Sequence, residues 1–158
     1  IHHPMSVKNK TLKNIRRCCY IALTFCAAWT ILMGANFFQI FTNTKIEWSE
    51  NTIVKIVLVA AYLISCSSAI YLCVKFILNI LKGLSENTAF PKSNVKLLFW
   101  LTLTCFIYLL CTSNEPILYD EFIFDLVSTN FVAPLILLLF AFMYKIAADA
   151  VEENTLSN

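Results

Sequence analysis

Apolar and polar positions fall into long alternating blocks along this chain. The apolar blocks contain no Asp, Glu, Lys or Arg, and they cover Cys18–Phe41, Ile56–Val74, Leu97–Asn114 and Leu126–Tyr144. A helix needs about 20 residues to cross a hydrocarbon core about 30 Å thick, where backbone groups must find helical partners. The pattern therefore predicts an all-α membrane protein, a four-transmembrane-helix bundle. The predicted spans are about 18–41, 53–81, 95–113 and 126–150.

Composition supports one integral membrane domain over residues 1–158. The chain is 59% hydrophobic and 14% charged, and soluble domains rarely reach this balance. The connections between the spans are too short to hold a second domain. Residues 1–4, which include His2 and His3, resemble the remainder of an expression tag ahead of a natural start at Met5, and we exclude them from functional reasoning.

The distribution of charge predicts the topology. Basic residues without any acid precede the first span, namely Lys8, Lys10, Lys13, Arg16 and Arg17. The connection between spans two and three carries Lys75, Lys82, Lys92 and Lys96 against the single acid Glu86. The third loop carries Glu115, Asp120, Glu121 and Asp125 and no base. By the positive-inside rule, both termini and the middle turn are cytoplasmic, and the acidic loop faces outward.

The sequence offers no recognisable catalytic group, metal site or cofactor site. None of the seven cysteines forms a Cys-x-x-Cys pair or lies in an outward loop, which disfavours a membrane thiol oxidoreductase. The net charge of +2 is too small to indicate direct nucleic-acid binding. Asn36 and Gln39 are the most polar residues within a span. They could bind a ligand head group, although such amides more often bond a neighbouring helix.

Local signals predict several details of the helices. Gly83 suits the C-terminal cap of helix two, and Ser93 or Asn94 suits the N-terminal cap of helix three. Pro116–Val127 could form an interfacial helix in the third loop. Pro134 should either kink helix four or mark where the true span begins.

Two cytoplasmic motifs carry a resemblance to a known family. The middle turn reads Ala89-Phe90-Pro91-Lys92-Ser93-Asn94, and the tail reads Glu152-Glu153-Asn154-Thr155-Leu156-Ser157. The chain resembles the bacterial four-span membrane proteins grouped as domain of unknown function 2975, whose turn typically reads Pro-Phe-Thr-x-x-Asn and whose tail is Glu-rich. Phe90 and Asn94 match that turn, whereas Ala89 and Pro91 depart from it.

The resemblance implies a bacterial inner-membrane protein without an established activity. Genes of this family often lie beside a small helix-turn-helix regulator, which implies a non-enzymatic regulatory or sensor role with a cytoplasmic protein partner. The residues expected to bind that partner are Phe90, Asn94, Glu152 and Glu153. Besides that partner and the lipid bilayer, we predict no direct binding of nucleic acid, and an oligomer is compatible with the sequence but not predicted.

Three other functions remain open from the sequence. The first is an immunity-type protein against a membrane-active toxin or bacteriocin. The second is a small membrane enzyme acting on a lipid, quinone or thiol substrate, which the lack of a catalytic cluster disfavours. The third is a transporter or channel subunit, which the lack of charge within the spans disfavours.

Overall fold

The protein is built from helices of membrane-spanning length. A computed structural model describes residues 5–86, 90–121, 124, 126 and 130–156, with the side chains that lie between residues 10 and 153. The elements are α1 (Met5–Thr42), α2 (Thr52–Ser85), α3 (Ser93–Ser113), a short 3-10 helix (Glu115–Tyr119) and α4 (Val132–Leu156). No strand occurs in these ranges, and all four α-helices are long and apolar enough to cross a membrane. The prediction of an all-helical fold with four helices of membrane-spanning length is confirmed.

Each α-helix packs on the next one along the chain. The backbones of non-consecutive α-helices do not approach within 8 Å in the described ranges. Consecutive helices run antiparallel, with Phe37 of α1 against Tyr62 of α2 and Phe99 of α3 against Phe142 of α4. The first residues of α1 and the last of α4 therefore lie at the same end as the α2–α3 turn. We call this the turn end, and the end with residues 43–51 and 114–131 the loop end.

The buried core is divided between the two ends. At the loop end, a cluster joins α1, α2, α3 and the 3-10 helix through Phe37, Ile40, Tyr62, Cys111 and Leu118. At the turn end, a second cluster joins α3 and α4 through Leu98, Ala141, Tyr144 and Ala148, with Phe76 of α2 packed against it. Side chains of α2 thus reach α4 at the turn end, although the two backbones stay apart.

Large apolar side chains cover the outer faces of the helices. Phe25 is 71% exposed and Ile31 is 74% exposed, and α4 shows a similar surface at Leu135 and Ile136. Water would penalise such continuous apolar surface, whereas lipid tails solvate it. The structure therefore indicates a multi-pass membrane protein.

Several helix boundaries differ from the predicted spans, most of all at the start of α1 and at both ends of α4, which continues to Leu156. α1 begins at Met5 and has 38 residues, about 57 Å at 1.5 Å per residue, so its basic segment continues the helix beyond the apolar block. α4 begins at Val132, later than the predicted 126. Pro134 therefore lies in the first turn. Backbone N–H groups there have no intrahelical acceptor, so the N–H that proline lacks costs no hydrogen bond. Of the two outcomes predicted for Pro134, the structure shows the start of the span.

Three local predictions were wrong. α2 continues past Gly83 to Ser85, and the N–H of Glu86 closes it on the carbonyls of Lys82 and Gly83. The N-cap of α3 is Lys92, which makes no side-chain capping bond. The predicted interfacial helix stops at Tyr119, because the next residue, Asp120, adopts a left-handed backbone with φ 63°. Its remainder falls partly on residues 122–123, 125 and 127, which lie outside the described residues, as do residues 1–4.

Candidate functional site

At the turn end, Asn94 fixes the α2–α3 turn from inside the protein. Its side chain is fully buried, at 0% exposure. Its Nδ2 donates a hydrogen bond of 3.0 Å to the carbonyl of Phe76, and its Oδ1 accepts one of 2.8 Å from Nδ2 of Asn79. Both partners lie on α2, so Asn94 joins the start of α3 to α2. Asn94 therefore holds the turn by bridging two helices, whereas the sequence suggested that it caps α3.

Phe90 packs the turn against α4. Its ring meets the ring of Tyr144 edge to face, with centroids 5.4 Å apart, and Tyr144 also contacts Phe76. The hydroxyl of Tyr144 donates a hydrogen bond of 3.4 Å to the carbonyl of Pro91. Phe90 remains 40% exposed, so one part of its ring seals the turn and another part is free to contact a partner.

Lys92 links the turn to the C-terminal part of α4 by charge. Its Nζ pairs with Glu152 and lies 3.8 Å from a carboxylate oxygen of Asp149. The hydrogen bond to Glu152 and the charges of Glu152 and Asp149 raise the pKa of Lys92. Both acids and the lysine are substantially exposed, so the pair positions the two segments and contributes little to stability.

We call Phe90, Lys92, Asn94, Glu152 and Glu153 the turn–tail patch. The structure brings the two predicted motifs together, through contacts of Phe90 with Tyr144 and of Lys92 with Glu152. Asn94 lies beneath this surface, and Glu153, the residue after Glu152, is exposed. Glu152 is already paired, so Glu153 is the better candidate to attract a basic partner. In the described part of the chain, no group of His, Cys, Asp or Glu residues could hold a metal ion.

The two polar residues predicted within a span have different surroundings. Nδ2 of Asn36 donates a hydrogen bond of 3.1 Å to the hydroxyl of Tyr62 on α2. The ring of Tyr62 in turn lies 5.5 Å from that of Tyr108 on α3, measured between centroids. Gln39 is exposed, and its side chain bonds no described residue. Asn36 therefore joins helices, and the structure does not place Gln39 in the same site.

The sequence analysis missed a buried ion pair at the loop end. Nζ of Lys55, which is 0% exposed, lies 2.8 Å from Oδ1 of Asp120 and donates a hydrogen bond of 3.0 Å to its Oδ2. The same Nζ donates a 2.7 Å hydrogen bond to the carbonyl of Glu47. Nδ2 of Asn43 donates a hydrogen bond of 3.2 Å to the hydroxyl of Tyr119, the residue before Asp120. We call the contact of Lys55 with Glu47 and Asp120 the loop clasp.

A signal for the loop clasp was present in the sequence. Lys55 interrupts an apolar stretch, Ile53-Val54-Lys55-Ile56-Val57, and the third loop carries acids without a base. A single cation in an apolar stretch opposite an acid-only loop is a candidate for pairing, because a buried charge needs a partner.

Comparison with known proteins gives no assignment for the turn–tail patch or the loop clasp. No protein-family model matches the chain, and neither a curated protein nor a solved structure shows significant similarity to it.

Proposed function

We propose that the protein is a non-enzymatic bacterial inner-membrane protein that docks a cytoplasmic protein through its turn–tail patch. The observation that carries this proposal is the contact between two segments far apart in sequence, through Phe90, Tyr144, Lys92 and Glu152. The partner we favour is the small helix-turn-helix regulator that the resemblance to domain of unknown function 2975 implies.

The chemistry of the patch suits protein docking. A half-exposed aromatic ring on a turn held by buried hydrogen bonds is a preorganised anchor, and such anchors carry most of the affinity at interfaces. Exposed charge around it, such as that of Glu153, acts mainly on association rate and salt dependence. The excess of basic residues at the turn end supports the cytoplasmic orientation that docking requires.

Co-purification of the full chain with a small helix-turn-helix regulator of this kind tests the proposal. Truncation of an aromatic anchor commonly costs about 2 kcal/mol, so Phe90→Ala should weaken binding roughly 30-fold. Glu153→Lys should weaken binding less, and most clearly at low salt. It is a cleaner change than Glu152→Lys, which would also place a second cation next to Lys92.

Phe124→Ala is the matched control, because Phe124 is an exposed phenylalanine of the loop end. It should leave binding unchanged. Thermal unfolding of each variant separates docking from folding. The proposal is wrong if the wild-type chain does not bind the regulator, or if folded Phe90→Ala protein binds it as well as wild type does.

The loop clasp favours the immunity-type alternative as a second candidate. It joins the segment before α2 to Asp120 in the loop after α3, and the neighbouring acid Glu121 is exposed on the surface at this end. Such a surface would suit a basic toxin that reaches the membrane from outside. Protection of sensitive cells by the wild-type chain, lost in Glu121→Gln at an exposed acid, would support this function over regulator docking.

A further inference from the structure

A cavity opens between α3 and α4 at the turn end. It has a volume of about 330 Å³ and is lined by Lys92, Val95, Lys96, Phe99, Trp100, Lys145 and Asp149. The α3 residues recur at intervals of three and four, and the two α4 residues lie four apart, so each helix contributes a single face. One cavity thus combines cationic side chains with an aromatic wall.

The cations and the aromatic wall lie at different depths. Lys145 directly follows the uncharged block of α4, and Lys96 directly precedes that of α3, so both stand at the level where a span leaves the hydrocarbon. Trp100 is one helical turn deeper than Lys96, about 6 Å along the axis. Trp100 is 50% exposed, which is typical of a tryptophan at the membrane interface.

Two of the three lysines have charge available for a ligand. Lys92 is engaged by Glu152 and Asp149. Lys96 and Lys145 are exposed and form no ion pair with any residue that the structure describes. The sequence places Asp149 four residues after Lys145, but Asp149 pairs with Lys92 instead. The cavity therefore keeps an excess of positive charge above an apolar floor.

We propose that this cavity binds an anionic phospholipid. Lys96 and Lys145 contact the phosphate, and the glycerol backbone and the start of an acyl chain lie against Phe99 and Trp100. Basic pockets between membrane helices bind anionic headgroups in this way, with each nearby lysine or arginine adding attraction. A phosphatidylcholine has the same acyl chains but no net charge, and it gains less from the two lysines. This site borders the turn–tail patch and shares Lys92 with it, but lipid binding by Lys96 and Lys145 does not depend on protein docking at Phe90.

Native mass spectrometry of the full chain in detergent, titrated with dioleoyl phosphatidylglycerol or dioleoyl phosphatidylcholine, tests the proposal. The wild-type chain should bind the phosphatidylglycerol at least tenfold more tightly. Lys96→Gln with Lys145→Gln should weaken phosphatidylglycerol binding on the order of 30-fold, about fivefold for each cation removed, and should weaken phosphatidylcholine binding much less.

Matched variants distinguish a built site from general surface charge. Lys10→Gln with Arg17→Gln removes the same charge from α1, which packs on α2, and should leave lipid binding unchanged. Lys96→Arg with Lys145→Arg should keep phosphatidylglycerol binding. Trp100→Ala should weaken it more than Trp29→Ala, whose tryptophan is 46% exposed on α1.

Three results would each overturn the proposal. The first is equal affinity for the two lipids. The second is equal loss of phosphatidylglycerol binding in the α1 control and in the Lys96 and Lys145 variant. The third is displacement of the lipid by an excess of inorganic phosphate, since that would identify a site for the free anion. A helical circular dichroism spectrum for each variant ensures that folded proteins are compared.

Discussion

Removing the charge of Asp120 or of Lys55 from the loop clasp should destabilise the protein, and the two losses should differ in size. Asp120→Asn removes the charge that neutralises Lys55, which is 0% exposed and keeps only the carbonyl of Glu47. An unpaired buried charge typically costs about 3–5 kcal/mol. Asparagine tolerates the left-handed backbone of this position, so the substitution tests the charge and leaves the turn in place.

Lys55→Met should cost less than Asp120→Asn. It leaves the carboxylate of Asp120, whose side chain is 31% exposed, so water reaches part of it although its Oδ1 is buried. We expect a loss of about 1–2 kcal/mol, from the carbonyl of Glu47 left without its donor and from partial desolvation of the carboxylate. Methionine has a similar length to the lysine stem and is compatible with the buried site.

Denaturant titration of the purified protein in detergent, followed by circular dichroism, measures both free energies of unfolding. The double variant should be more stable than Asp120→Asn alone, because no buried charge is left unpaired. The reasoning fails if Lys55→Met is the more destabilising change, or if both single variants lie within about 0.5 kcal/mol of wild type, as exposed ion pairs do.

Three further predictions concern topology, thiols and pH. In a cysteine-free background, a membrane-impermeant thiol reagent applied to intact cells should label Glu121→Cys and not Ser85→Cys; the reverse result would invert the predicted orientation. All the native cysteines are free thiols in the described structure, so the native protein should migrate alike on reducing and non-reducing gels, and an intramolecular disulfide would contradict this. Because the pKa of Lys92 is raised above its ordinary value of 10.5, its pair with Glu152 should contribute fully below that pH and be lost as pH rises through the raised pKa. The difference in melting temperature between wild type and Lys92→Gln should therefore stay constant from neutral pH to about pH 10 and shrink above it.

The spans could be predicted from the sequence because lipid imposes a simple rule on composition. A long uncharged block must be helical in the hydrocarbon, so the four blocks locate α1 to α4. The rule does not fix where a helix ends outside the membrane. α1 therefore extends to Met5 through basic residues, and α4 starts at Val132, where Pro134 suits a first turn.

The sequence identified residues of one candidate site, the turn–tail patch, but it did not identify all the contacts that hold them. The proximity of Phe90 and Glu152 followed from the expected packing of the turn and the tail, and the structure shows it through Tyr144 and Lys92. Asn94 was assigned to a cap because asparagine near a helix start often caps it. Its bonds to Phe76 and Asn79 on another helix depend on tertiary packing, which no local pattern encodes.

The most deeply buried large side chains are mainly polar, and this affects how the chain tolerates mutation. Lys55, Asn94 and Asn114 are among the four largest fully buried side chains, together with Leu118. Lipid-facing positions such as Ile31 accept other apolar residues at little cost, since lipid solvates each of them alike. In a saturation mutagenesis screen for folded protein, the lipid-facing positions of the apolar blocks should tolerate most apolar substitutions. The intolerant positions should be these polar residues near the helix ends, where hydrogen bonds and charge determine which helices meet.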